Sequence, residues 1–276
     1  MTRMSPRKRP GTPPHRRNRE AFRPWSGAPG GRDYWLYGRH AALAALANPA
    51  RHVHRIIMTR NTADELGSTI RQIAGRPRVE IVEREEIEEL IPGGAPHQGI
   101  TLRVSPLPAQ AIDAVPRAEA DRRRLVVVLD QVTDPRNMGA ILRTAAVFGA
   151  VAVVTTERRS APESGALAKA ASGALDTLPM VRVPNLARAL RTLKDYGYWV
   201  IALDHAAEER LETADLAPGL ALVLGAEGHG LRSLTRDHCD KFVSIAVHPA
   251  AKAARIDSLN VASAAAIALH ALAEVT

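Results

Sequence analysis

A single cysteine, Cys239, is all the thiol chemistry that this chain of 276 residues carries. It cannot form an internal disulfide, and no Cys/His cluster has the spacing of a zinc site. The expectation is therefore a reducing compartment, the cytoplasm, and function without metal. No apolar run approaches the ~20 residues of a membrane span. No apolar stretch follows the basic N-terminus, which excludes a secretory signal. Six prolines among the first 33 residues argue against the amphipathic helix of a transit peptide. The Gly-x-Gly-x-x-Gly fingerprint is missing, which disfavours a nicotinamide dehydrogenase. No internal repeat is present.

What the chain does have is apolar material and unevenly placed charge. Hydrophobic residues make up 46% of it, enough for one large domain or two modest ones. Of the formal net charge of +8, residues 1–33 carry +7, from nine Arg and Lys against Glu20 and Asp33. That stretch is rich in proline and glycine and almost devoid of aliphatics, so it cannot bury enough surface to fold, and a disordered basic tail is expected. Such an arm attracts phosphate backbones without reading sequence, with steep salt dependence. The alternative is a solubilising tail.

Residues 34–105 read as a small α/β unit. "YWLYGRHAALAALANP" suggests a helix from about His40, followed by a strand at His54–Thr59, a helix at Ala63–Ala74 and a strand at Val79–Val82. An acidic helix at Arg84–Leu90 and a strand at Ile100–Val104 complete it. Residues 106–122, with three prolines and mixed charge, look like a linker. From residue 123 to 276, aliphatic runs such as "LVVVLD", "AVAVVT" and "LALVLG" alternate with helical segments. Continuous Val/Ile/Leu runs argue for a parallel sheet covered on both faces, with ligand chemistry at the carboxyl ends of its strands.

Three loops after such strands carry unusual polar groups. In "DPRNMGAILRTAAVFGA", Asn137 is a candidate helix N-cap, Gly139 a place where a ligand could approach the backbone, and Arg143 a cation nearly two turns into the helix. An ordinary cap with a solvated arginine is the plain alternative. In "LALVLGAEGHGL", glycines at 225, 228 and 230 surround Glu227 and His229, and glycine permits close approach of a flat ligand. His229 reads as a surface histidine. In "RIDSLNVASAAAIALHAL", Ser258 is a natural N-cap for a helix from Leu259 to Leu272, with Asn260 in its first turn.

Taken in order on one chain, Asn-x-Gly-x-x-x-Arg, then GAEGxG, then SLNV resembles the SpoU (TrmH-like) branch of the SPOUT RNA methyltransferases. "KAASGALDTLPMVRVPNLARALRTLKDYGYWVIALD", "YGRHAALAAL" and "HQGITLRV" extend the resemblance over roughly Tyr34 to Val275. It implies an L30e-like substrate-binding domain followed by a parallel-sheet α/β domain closed by a trefoil knot, an exception to the rule against knots. It further implies S-adenosylmethionine held by backbone groups at Gly225, Ile245 and Leu259, and a homodimer formed through the C-terminal domain. The family's active-site positions fall on Asn137, Arg143, Glu227, Ser258 and Asn260. The activity implied is metal-free methyl transfer to a ribose 2′-hydroxyl of RNA, in particular a guanosine of 23S rRNA. Within the family a tRNA ribose 2′-O-methyltransferase is the alternative, and a catalytically silent RNA-binding protein is another. The chain departs from the family pattern at "IAVHPAAKAARIDSLN", which lacks the usual Pro and Gly and is several residues longer.

Overall fold

The computed structural model describes residues 33–73, 75–226, 230–248, 250 and 258–273. All of the tail but Asp33 lies outside them, as do Glu227, His229 and most of the loop 246–257.

The first unit contains β1 (Tyr34–Tyr37), α1 (Arg39–Ala47), β2 (Val53–Met58), α2 (Arg60–Arg71), β3 (Val79–Ile81), α3 (Arg84–Leu90) and β4 (Ile100–Val104). Its four strands are ordered β1-β4-β2-β3, with β4 antiparallel to both β1 and β2. Strand β1 was not expected. "YWLY" precedes a helix, but its aromatic and branched side chains fit a pleated surface, and Leu36 and Tyr37 bury there. Helix α2 begins three residues before the expected Ala63, because the extended Thr59 already ends the strand and stands at the N-cap position.

The second unit contains β5 (Arg124–Leu129), α4 (Pro135–Val147), β6 (Ala152–Thr156), α5 (Gly165–Ala171), α6 (Ala174–Thr177), β7 (Met180–Val183), α7 (Leu186–Asp195), β8 (Trp199–Leu203), β9 (Gly219–Leu224), α8 (Ser233–Arg236), β10 (Lys241–Val243) and α9 (Val261–Leu272). Its six strands are all parallel, in the order β10-β8-β9-β5-β6-β7. The expectation of an α/β fold with a doubly covered parallel sheet is met. On β5, Leu125, Val127 and Leu129 join one apolar cluster, whereas Val126 and Val128 join another on the opposite face. The first of these clusters also takes in Leu36, Ala42, Leu46 and Leu102, so the two units share a continuous core.

Residues 106–122 are docked rather than loose. Gln110 bridges to Val181 of β7, Val115 is buried, and the Ala118 amide donates to the Tyr196 carbonyl at 2.8 Å.

A buried ionic joint fastens the units together. The Arg51 side chain, 0% exposed, donates Nε to Asp176 Oδ1 at 2.7 Å and Nη2 to Asp176 Oδ2 at 3.1 Å. Its Nη1 donates to Glu163 Oε2 at 2.9 Å and to the Ser105 carbonyl at 3.0 Å. The Tyr34 hydroxyl donates to the same Glu163 oxygen at 3.2 Å. The small unit thus supplies the cation and the phenol, and the large unit both carboxylates. Among the described residues no helix is long and apolar enough to cross a membrane.

Candidate active site

The candidate site gathers at the carboxyl ends of β5, β9 and β10, where the parallel strands release their loops. β5 is followed directly by Asp130, which is fully buried. A buried carboxylate requires a partner, and Arg232, just beyond the glycine-rich turn, provides it: Nε donates to Asp130 Oδ1 at 2.8 Å, Nη2 lies 2.7 Å from the same oxygen, and the Arg232 amide donates to Oδ2 at 3.2 Å. The next residue, Gln131, has φ 62°, a left-handed conformation that costs energy for a side chain with a Cβ. Asp130 and Arg232 pin the glycine-rich turn to the strand beside it, and sequence reasoning missed both. The available signal was the aspartate closing an otherwise aliphatic strand.

The turn itself is closed by reciprocal bonds between Ala226 and Gly230, at 3.2 and 3.1 Å. Gly225 enters it so closely that a Cβ would stand 2.5 Å from the Gly230 carbonyl carbon, so glycine is required there by the chain's own crossing.

The two helix starts differ from expectation in detail. Asp134, not Asn137, caps α4: its carboxylate accepts from the Arg136 amide at 2.8 Å, and Pro135 takes the first helical position, where its fixed φ fits and no N–H is needed. Asn137 therefore lies within the first turn. Gly139 does not face a ligand. It is buried against α5, and a Cβ would lie 2.6 Å from both Ala170 Cβ and the Leu167 carbonyl oxygen, so it sets the close approach of two helices. Ser258 is not the cap of the last helix either. Asn260 is, with Oδ1 accepting from the Ala262 amide at 2.9 Å and the Ser263 amide at 3.3 Å, two donors for one short carbonyl arm.

The same Asn260 side chain donates Nδ2 to Asn137 Oδ1 at 3.1 Å. One amide thus caps α9 and ties it to α4, bringing together residues 123 positions apart. Ser258 and Leu259 are exposed immediately before it, Leu259 at 43%, and Ile245 is half-buried just past β10. Arg143 is exposed on α4. Six residues beyond Asn137, it stands about 9 Å further along the axis and on another face.

Gly225 follows β9 and is half-buried, as is Ile245 after β10, and Leu259 is exposed just before α9. Among the described residues, no group of three or more His, Cys, Asp or Glu could hold a metal.

A parallel α/β sheet with polar strand-end loops, preceded by a small α/β unit, is an architecture that the matches to known families tie to S-adenosylmethionine-dependent RNA 2′-O-ribose methyl transfer. Residues 124–270 match the SpoU rRNA Methylase family, and residues 35–110 match the RNA 2′-O ribose methyltransferase substrate-binding family. The chain belongs to the SpoU rRNA methylase family. It is 36% identical over 240 residues to the 23S rRNA (guanosine-2′-O-)-methyltransferase RlmB of Pseudomonas putida, covering 85% of this chain and 93% of that one. It is also 36% identical over 239 residues to an uncharacterized tRNA/rRNA methyltransferase of Synechocystis, of whose length the match spans 61%. Among solved structures, the SpoU methyltransferase AviRb of Streptomyces viridochromogenes in complex with AdoMet superposes with a TM-score of 0.69 at 23% identity, covering 87% of this chain and 89% of that one. The AdoMet-bound rRNA methyltransferase of Sinorhizobium meliloti gives 0.70 at 21%, covering 87% of each chain. At these identities the structural likeness speaks for the fold.

Proposed function

We propose that the protein methylates the 2′-hydroxyl of a guanosine in 23S rRNA, in the P loop of the peptidyl-transferase centre. The observation that carries this reading is the pairing of a substrate-binding unit at 35–110 with a methylase unit at 124–270, an arrangement shared over 93% of the length of a relative named for that reaction. The domain division is then a basic tail at 1–33, the substrate-binding domain at 34–105, a connecting segment at 106–122 and the methyltransferase domain at 123–276.

S-adenosylmethionine, when bound, supplies an electrophilic methyl on sulfonium, with Gly225, Ile245 and Leu259 as the backbone positions that hold it. Its sulfonium would give up that methyl to the 2′-oxygen, which would in turn lose its proton. Arg143 is assigned to the ribose and the adjoining phosphate. A guanidinium stays protonated at neutral pH, so it acts as a fixed cation that stabilises the developing alkoxide, with the proton passing to phosphate or water. Asn137 and Glu227 orient the ribose and Arg143, while Ser258 and Asn260 shape the nucleotide pocket. The Asn137–Asn260 bond supports this by holding two of these five residues together.

Homodimer formation through the C-terminal domain belongs to the same reading. Val147 on α4 is 71% exposed and Ile267 on the adjoining α9 is 42% exposed, and together they leave apolar surface on two packed helices. Arg143 precedes Val147 by one helical turn, so a partner seated there would stand against the catalytic cation. The trefoil knot, cytoplasmic location and RNA contact by the tail complete the reading.

Mapping 2′-O-methyl groups in 23S rRNA from cells lacking the protein tests the substrate, and loss at one guanosine is expected. Intact methylation at every 23S site would overturn it. Arg143→Ala tests the mechanism: turnover should fall ~10²–10³-fold with cofactor affinity intact. Near-normal turnover would remove Arg143 from the reaction.

A further inference from the structure

A polar cleft of about 630 Å³ opens in the small unit between the start of α2 and the loop before β4, away from the strand-end loops described above. Its size suits a single nucleotide. Thr59, Arg60, Asn61 and Thr62 line one side, and Thr59 makes no side-chain capping bond, so the first amides of the 12-residue α2 meet the cleft without a cap. Such amides favour an anion.

The opposite side is His97-Gln98-Gly99, part of the "HQGITLRV" stretch. Gly99 has φ +77°, and a Cβ there would stand 2.1 Å from Thr62 Oγ1, so only glycine lets this loop approach α2. Gln98 is held at φ 57°, a strained conformation of the kind that collects at functional sites. Its Oε1 accepts from the Arg39 amide at 3.2 Å and from Lys169 Nζ at 2.5 Å. The side-chain amide nitrogen is left as a donor, with no partner among the described residues. His97 is 1% exposed; its Nδ1 accepts from the Gly99 amide at 3.2 Å, which places the proton of the neutral ring on Nε2, and that atom has no hydrogen-bond partner. Glu88 Oε1 is the nearest carboxylate, at 3.7 Å.

The charges come from both halves of the molecule. Lys169 belongs to α5 of the methyltransferase unit and lies across Gly38, where a Cβ would meet its side chain at 2.7 Å. Arg39 is neutralised by Glu65 at 2.5 Å, and Glu83 is occupied in capping α3. Arg60, which lines the cleft, and Lys169, which stands behind the lining Gln98 and bonds to it, have no carboxylate partner among the described residues, so each unit brings one uncompensated cation to this side of the molecule.

We propose that this cleft binds one unpaired nucleotide of the RNA substrate, with its phosphate on the α2 amides, Arg60 and Lys169 and its base edge on the Gln98 amide. The proposal rests on the RNA methyltransferase reading above. It gives the small unit a defined contact and makes RNA capture depend on how the two units are joined. Unstacked bases read along their edges are the usual targets of sequence-specific RNA recognition.

The test measures fluorescence anisotropy of the full-length protein with a short mixed-sequence single-stranded RNA and with an unmethylated 23S rRNA transcript. Gln98→Glu keeps the acceptor that bridges Arg39 and Lys169 but replaces the donor with a negative charge. Its melting temperature should match wild type, and its RNA affinity should fall about ten-fold or more, with cofactor affinity unchanged. Arg60→Ala should lower the slope of log affinity against log salt by about one. In turnover assays both variants should raise KM for RNA and leave kcat within about two-fold, the pattern of lost uniform binding. Wild-type affinity in Gln98→Glu, or an unchanged salt slope in Arg60→Ala, would overturn the proposal. Because binding is read without turnover, an error in the 23S assignment would show as wild-type protein that binds RNA but does not methylate the transcript.

Discussion

Replacing Arg51 with methionine removes the cation that the two units share while roughly keeping its volume. In the native protein five hydrogen bonds leave the buried guanidinium: two to Asp176, one to Glu163, one to the Ser105 carbonyl and one, at 3.3 Å, to the Tyr34 hydroxyl oxygen. The side chains of Asp176 and Glu163 are 1% and 9% exposed, so they would stay behind as carboxylates with little water to replace their partner. Asn48 and Tyr34 still donate to them, at 3.2 Å each, but both are neutral. Breaking a buried ion pair from one side costs about 3–5 kcal/mol, a large share of a stability of roughly 5–15 kcal/mol. For a chain of this size the loss corresponds to a fall in Tm of roughly 6–20 °C. Arg51→Lys should recover only part of this, since an ammonium cannot engage Asp176 through a planar fork. Arg51→Met combined with Asp176→Leu should recover more, because it leaves one orphaned carboxylate instead of two. Calorimetric melting at pH 7 measures all three. A loss below about 1 kcal/mol for Arg51→Met, the range of exposed pairs, would refute the reasoning and shift the coupling of the units to the shared apolar core.

Asn260→Ala should cost about 1 kcal/mol through the lost cap and reduce methyl transfer, whereas Asn260→Asp should keep the cap but lose the donor to Asn137; equal activity in Asn260→Asp and wild type would show that the tie is dispensable. Gly139→Ala should destabilise by about 1–3 kcal/mol through overpacking of α4 on α5, and chemical denaturation that finds no change would contradict the tight contact. All four tyrosines have raised pKa values: Tyr34 through burial and then Glu163, Tyr37 and Tyr198 through burial first, and Tyr196 through its bond to Asp113. The unfolded chain therefore loses these protons first, so stability should hold below pH ~10 and decline above it, with phenolate absorbance appearing together with unfolding. Burial pushes the Cys239 thiol up to about 12, so native protein should resist iodoacetamide at neutral pH and react only when unfolded; rapid native alkylation would contradict that environment.

The sequence by itself determined the class of fold. Uninterrupted runs such as "LVVVL" leave no polar face, so they require cover on both sides and therefore a parallel sheet. The acidic helix at Arg84–Leu90 and the strand at Ile100–Val104 were legible to the residue, because their period and end signals are local. So was the family, through three motifs kept in order. Only the tertiary structure decided the rest. Asp134 and Asn260 displaced Asn137 and Ser258 as caps because a cap is chosen by backbone angles, and several polar residues stood close enough to compete. Gly139 and Gly225 read as openings for a ligand, yet each is required by another segment of the same chain crossing within contact distance. The pairing of Asp130 with Arg232, of Asn137 with Asn260, and of Arg51 with Asp176 joins residues more than a hundred positions apart. Such partners leave no periodic trace in a single sequence, because what selects them is the cost of burying a charge or an amide unmatched once the sheet has brought them together.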